Sequence, residues 1–162
     1  MWIARRSPEK AIDPGMLDNL VGGGIAAGQT IAGTLAKEAA EEAGIDAIQA
    51  REARPAGAVH IFREQPDGIQ HETIFVHDLW LPESFVPVAV DGEVVANARV
   101  TLIDAARIAA NTEGTDVATA DACLVIADCL IRHGAIAPDA PGYLALEALR
   151  HPNAPDDRPG PT

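Results

Sequence analysis

The chain is short of three kinds of residue, and each shortage removes a class of function. Only 12 of its 162 residues are Lys or Arg, against 24 Asp or Glu, for a formal charge of −12. Binding to a nucleic-acid backbone rests on clustered cations, so nucleic acid is excluded as a general partner. Small phosphorylated molecules are not excluded, because a bound divalent cation reverses the local sign of the field. Cysteine occurs twice, as Cys123 and Cys129, six residues apart in an apolar stretch. That pair lies too far round a helix to close a disulfide, and no Cys-x-x-Cys or suitably spaced His offers a zinc site. Aromatic residues are 4% of the chain and hydrophobic residues 48%, so the core must be built mainly from Ala, Val, Ile and Leu. No stretch approaches the roughly 18 uncharged apolar residues of a membrane span. Arg5 and Arg6 are not followed by the apolar run of a signal peptide. The expectation is a cytoplasmic protein without a membrane partner.

What is present reads as one α+β domain over residues 1–150, with 151–162 as a disordered, proline-rich tail. A chain of this size buries about two thirds of its unfolded surface. Met1 to Arg5 reads as a strand and 7–19 as a loop, leading into Gly22-Gly23-Gly24. A helix is expected from Thr30 to Ala43, stopped by Gly44. Strands at 57–63 and 70–80, joined by Gln65-Pro66-Asp67-Gly68, form a hairpin. After the Asp91-Gly92 turn come a strand from Val94 to Leu102 and a short helix from Ile103 to Ala110. The longest apolar-periodic segment runs from Asp116 to His133, and a short helix covers Tyr143 to Leu149.

The predicted helix behind the glycines carries Glu38, Glu41 and Glu42. Residues three and four apart are surface neighbours, so the three carboxylates share an arc of about 100°. Like charges that close repel unless a cation sits against them, and hard divalent cations prefer such oxygen ligands. The alternative is a solvated acidic face on an ordinary amphipathic helix.

This stretch resembles the Nudix box: Gly, five residues, Glu, seven residues, then Arg-Glu-apolar-any-Glu-Glu-any-Gly-apolar. Gly23 opens it, and Lys37-Glu38-Ala39-Ala40-Glu41-Glu42-Ala43-Gly44-Ile45 closes it with every gap at the right length. Gln29 stands where the family has Glu, and Lys37 where it has Arg. In the family these two brace the loop against the helix, and Gln with Lys can still hydrogen-bond, though lysine lacks the planar fork of arginine. Segments such as Asp78-Leu79-Trp80-Leu81-Pro82, Asp91-Gly92-Glu93-Val94 and Ile131-Arg132-His133-Gly134 look like the branch related to the Nudix part of certain thiamine pyrophosphokinases. The resemblance implies a Nudix fold, an α/β/α sandwich with a mixed β-sheet. It also implies that the first strand and the branch's usual N-terminal domain are absent, Trp2 aligning with the second strand. A sheet lacking a strand exposes an edge that a second copy can cover, so a homodimer or a poorly stable monomer is expected.

The resemblance further implies Mg²⁺- or Mn²⁺-dependent hydrolysis of a diphosphate linkage in a nucleoside-diphosphate-like or thiamine-diphosphate-like small molecule. Glu38, Glu41 and Glu42, with the carbonyl of Gly24, are the implied metal ligands. Glu38, Glu41 and Glu93 are the candidate catalytic residues, with Glu72 as a second choice to Glu93. Arg5 and Arg6 are candidates for binding substrate phosphates. His60, His71 and His77 lie on predicted strands, the latter two roughly 20 Å apart, which does not favour a three-histidine zinc site. His133 at a helix end fits a helix-dipole contact, and Asp18-Asn19 fits a turn cap. Ser7 and Ser84 lack a nucleophile-elbow context. The competing functions are a degenerate Nudix module that binds without turnover and, third, isopentenyl-diphosphate isomerase, disfavoured because Cys123 and Cys129 fall on a late helix.

Overall fold

The computed structural model describes residues 1–65 and 68–151. In chain order its elements are β1 (Trp2–Arg6), β2 (Leu17–Asn19), α1 (Ile31–Ala43), α2 (Ala47–Ala50), β3 (Arg54–Gln65), β4 (Gly68–Asp78), β5 (Val94–Arg99), α3 (Leu102–Ala110), α4 (Ala120–Arg132) and α5 (Tyr143–Arg150). Strands β2, β1 and β5 form one antiparallel sheet in that order, and β3 and β4 form a separate two-stranded ribbon. A parallel bridge from Leu17 to Ala118 adds the mixed character.

Strand alternation divides β1 between two layers. Ile3 packs with Leu17, Ala105, Ala118, Ala122, Ile126 and Leu130, joining the sheet to α3 and α4. Ala4, also buried, lines a narrow cleft with Gly22 and Glu42 beside α1. A second cluster, Ala39, Ala43, Ile45 and Ala50, closes α1 and α2 against Leu20, Leu79 and Phe85. Aliphatic side chains carry both clusters, as the scarcity of aromatics requires.

The helices begin where side chains can satisfy their free amides. Thr30, Thr101 and Thr119 accept from Gly33, Asp104 and Ala122 nitrogens, and Asp46 accepts from Ile48 and Gln49. Thr119 therefore starts α4 at Ala120, later than the periodicity from Asp116 suggests. Thr101 likewise ends β5 early, at Arg99. Gly44 ends α1 with φ 65°, where a side chain would be strained and would press on the Val88 carbonyl. Two elements were not expected. Strand β2 lies inside the predicted loop because Leu17 is drawn into the core, and α2 is a single turn capped by Asp46. The hairpin is longer than expected, paired from Arg54↔Asp78 to Gln65↔Gly68, with a shift between Pro55 and Gly57. Pro66 and Asp67 of its turn, and the tail from Pro152, lie outside the described residues.

A buried ionic cluster ties the ribbon and α5 to α4. Asp128, 2% exposed, accepts from Arg132 Nε at 2.6 Å and from Arg150 Nε at 3.1 Å. Arg132 also donates to both oxygens of Asp78 at the end of β4, at 2.6 and 3.0 Å. Those bonds hold the Asp78 carboxyl below the usual range and raise the Arg132 guanidinium. Removing one partner of a buried pair leaves charge uncompensated. We expect Asp128→Asn to lower unfolding free energy by about 3 kcal/mol, and Arg107→Ala, which breaks only the exposed pair with Asp104, by less than about 1 kcal/mol. Urea denaturation measures both.

Candidate active site

The site is assembled where the glycine loop between β2 and α1 meets the last turns of α1. Glu42, 8% exposed, accepts from the Gly22 amide at 2.8 Å. Burial pushes its carboxyl up to about 7, opposed by the Gly22 bond and reinforced by Glu38, Asp18 and Asp91. Glu38 lies directly on Gly23, where an added Cβ would sit 2.5 Å from Glu38 Cδ. Any side chain at that glycine would displace the carboxylate. Glu41 is the most open of the three. The Lys37 ammonium donates to Glu38 at 3.0 Å and to Glu41 at 2.6 Å, contacts that raise its own pKa, that of Glu41 most.

The Val88 and Val90 amides donate to the Ala43 and Glu41 carbonyls at 3.1 and 2.8 Å. These bonds carry the Asp91-Gly92 turn to the end of α1. Glu93 thereby lines the narrow cleft together with Glu42, Gly22, Asp18, Arg6 and Lys10. Its carboxylate forms an ion pair with Lys10. A larger cleft of about 1360 Å³ is lined by Gly22, Gly23, Gly24 and Glu38, by Arg6, and by β4 and α4.

The structure separates the two candidate phosphate binders. Arg6 reaches Asp18 at 2.7 Å and lines both clefts. Arg5 instead donates to the Gly15 and Thr115 carbonyls at 2.8 and 2.9 Å and pairs with Asp116. Neighbouring positions on a strand point to opposite faces, so Arg5 braces loops and lines neither cleft. Glu72 lies on the β4 wall of the larger cleft, where its charge acts on Asp121. The loop brace also differs from expectation. Lysine's compact ammonium settles between Glu38 and Glu41 on its own helix, while the Gln29 side chain lies beside Gly33.

The histidines do not converge. His60 contacts Thr73 at 3.1 Å, His71 meets the Phe62 ring edge-on, and His77 lies 3.3 Å from the Phe75 carbonyl. His133 lies 3.2 Å from Asp78 at the end of α4. Asp18 accepts from Asn19, Arg6 and Thr119, making it a junction between elements as well as a turn cap. Lys10 and Asp121 were not anticipated, because Lys10 sits in a predicted loop and Asp121 within a predicted apolar helix.

The donor set fits a hard divalent cation. It is all oxygen, its negative charge exceeds the cations beside it, and Lys37 already stands as a cation between Glu38 and Glu41. Among the described residues no three His, Cys, Asp or Glu side chains converge as a ready-made metal cage. Lys37 bridges Glu38 and Glu41 and the Gly22 amide holds Glu42, so a cation at these carboxylates would displace the Lys37 ammonium.

Residues 1–120 match the NUDIX domain family. Nudix hydrolase 20, chloroplastic, and Nudix hydrolase 24, chloroplastic, both from Arabidopsis thaliana, are 42% and 40% identical over 146 residues, covering 90% of this chain and 38% and 39% of theirs. The uncharacterized protein YJR142W of Saccharomyces cerevisiae is 32% identical over 167 residues, 95% of this chain and 48% of that protein. The crystal structure of DR0079 from Deinococcus radiodurans superposes with a TM-score of 0.54 at 26% identity, covering 79% of this chain and 73% of that one. The chain belongs to the NUDIX family. It spans between about two fifths and one half of the length of these curated relatives.

Two expectations follow from the geometry. A carboxyl whose folded-state pKa is raised contributes stability that is full at acid pH and lost as pH rises through 7. Metal-free Glu42→Gln should therefore be more stable than the parent above pH 8, by up to about 3 kcal/mol at about 1.4 kcal/mol per pKa unit, and no more stable near pH 4. Thermal melts at the two pH values measure this. Gly23→Ala should weaken Mn²⁺ binding at least about ten-fold by displacing Glu38, read by calorimetric titration.

Proposed function

We propose that this chain is a hydrolase of a diphosphate linkage, dependent on Mg²⁺ or Mn²⁺. The observation that carries the proposal is a pair of α1 carboxylates against the glycine loop: Glu42 is buried and bonded to Gly22 in the narrow cleft, and Glu38 packs on Gly23 in the wall of the cleft of about 1360 Å³. Glu38, Glu41 and Glu42, with the Gly24 carbonyl, would hold the cation. Once bound, it supplies neutralising charge for the diphosphate oxygens and acidifies water. Arg6 offers its guanidinium to a phosphoryl group, a planar donor suited to that geometry. Among the candidate bases, Glu38 is best placed, being in the cleft and oriented by Gly23 and Lys37. Glu93 is engaged by Lys10, and Glu41 lies on the open helix face.

The substrate class we favour is a nucleoside diphosphate derivative or a thiamine-diphosphate-like molecule. A homodimer and a cytoplasmic setting belong to the same proposal. Among the described residues neither strand of the β3–β4 ribbon pairs with a further strand, and a second copy could pair there. A second reading, a module that binds without turnover, is favoured by one observation: Lys37 pairs with two of the three box carboxylates.

The deciding experiment incubates the purified chain with Mg²⁺ or Mn²⁺ and thiamine diphosphate, ADP-ribose and nucleotide sugars, beside a Glu42→Gln control. Metal-dependent cleavage, reduced at least about 100-fold in the control, is the expected result. Metal binding without cleavage of any of them would favour the binding module.

A further inference from the structure

We infer that Lys37 is a two-position switch: it occupies the cation's place between Glu38 and Glu41, and displacement by the cation turns it toward Gln29, where it braces the glycine loop. The inference deepens the hydrolase reading and rests on it for the metal.

Two hydrogen bonds define the first position. The Lys37 ammonium donates to Glu38 at 3.0 Å and to Glu41 at 2.6 Å, bridging two of the three box carboxylates. The lysine side chain is 60% exposed there, so burial does not trap it. The direction is also the weaker one for a helical pair. Lysine four residues before glutamate gains less than lysine four residues after it, and long helical side chains lean toward the N-terminus. Lys37 is therefore held by the two carboxylates alone, and a divalent cation that takes them removes what holds it.

The second position lies one turn back on the same face of α1. Gly33 is four residues before Lys37, a rise of about 6 Å that a lysine stem leaning N-terminally can span. Gly33 has no side chain to stand in the way, and the amide oxygen of the exposed Gln29 is close by. A Cβ built at Gly33 would lie 3.9 Å from Gln29 Oε1. That oxygen is an acceptor suited to the ammonium. An acid at position 29 would compete for Lys37 at all times. A neutral amide takes it only once the carboxylates are occupied, so the two departures from the family pattern act together.

Calorimetric titration with Mn²⁺ tests this and needs no turnover. Lys37→Met should bind Mn²⁺ at least about ten-fold more tightly than the parent, because the tethered competitor is gone. Gln29→Glu, which keeps Lys37 but offers it a charged partner at the second position, should also tighten binding. Gln29→Ala should weaken binding several-fold in the parent and leave it unchanged in Lys37→Met, a coupling that a general loss of charge does not produce. Mn²⁺ bound no more tightly by Lys37→Met, or a Gln29→Ala effect that persists without Lys37, would overturn the inference. Absence of Mn²⁺ binding in every variant would overturn it together with the metal-dependent reading. Metal binding with the expected coupling but no cleavage of any diphosphate would sink the hydrolase reading alone.

Discussion

The bond from the Gly22 amide to the Glu42 carboxylate is the constraint on which the site depends. It ties a loop with little conformational preference to a helix with a strong one, and it does so through a group that burial makes reluctant to ionise. Around it the structure supplies further ties at close range. Glu38 fills the space above Gly23, and the residues after α1 return to hydrogen-bond the helix's last carbonyls. The Asp91–Glu93 segment arrives beside Glu42 as a consequence of those backbone bonds.

This arrangement concentrates negative charge in a protein already strongly acidic. Glu38, Asp18 and Asp91 all act on Glu42, and Lys37, Lys10 and Arg6 offset only part of the field. A divalent cation is the natural complement to that excess. Lys37 and the metal would compete for Glu38 and Glu41, so the substitution of lysine into the box is a question of affinity as well as of loop bracing. Far from the carboxylates, Asp128 with Arg132 and Arg150 holds β4 against α4, which keeps the second wall of the cleft in place.

Much of the fold was legible because its signals are local. The carboxylate spacing, the Thr30 cap and the Gly44 stop each act within a few residues, and they placed α1 within one residue of its start. The hairpin was legible from its alternation and its turn residues, although not its full length. Strand β2 was not, because three residues pair only when β1 and the Ala118 segment are already beside them. The fates of Arg5 and Arg6 were also illegible: Arg5 is decided by Thr115 and Asp116, about 110 positions away.

The sequence by itself determined the family, the helix that presents Glu38, Glu41 and Glu42, and the chemistry their oxygens can support. Helical periodicity makes those neighbours unavoidable, whatever the rest of the chain does. Only the tertiary structure decided which carboxylate loses its water and which arginine faces the cleft. Desolvation and pairing depend on what distant segments bring into contact, and no local pattern records that.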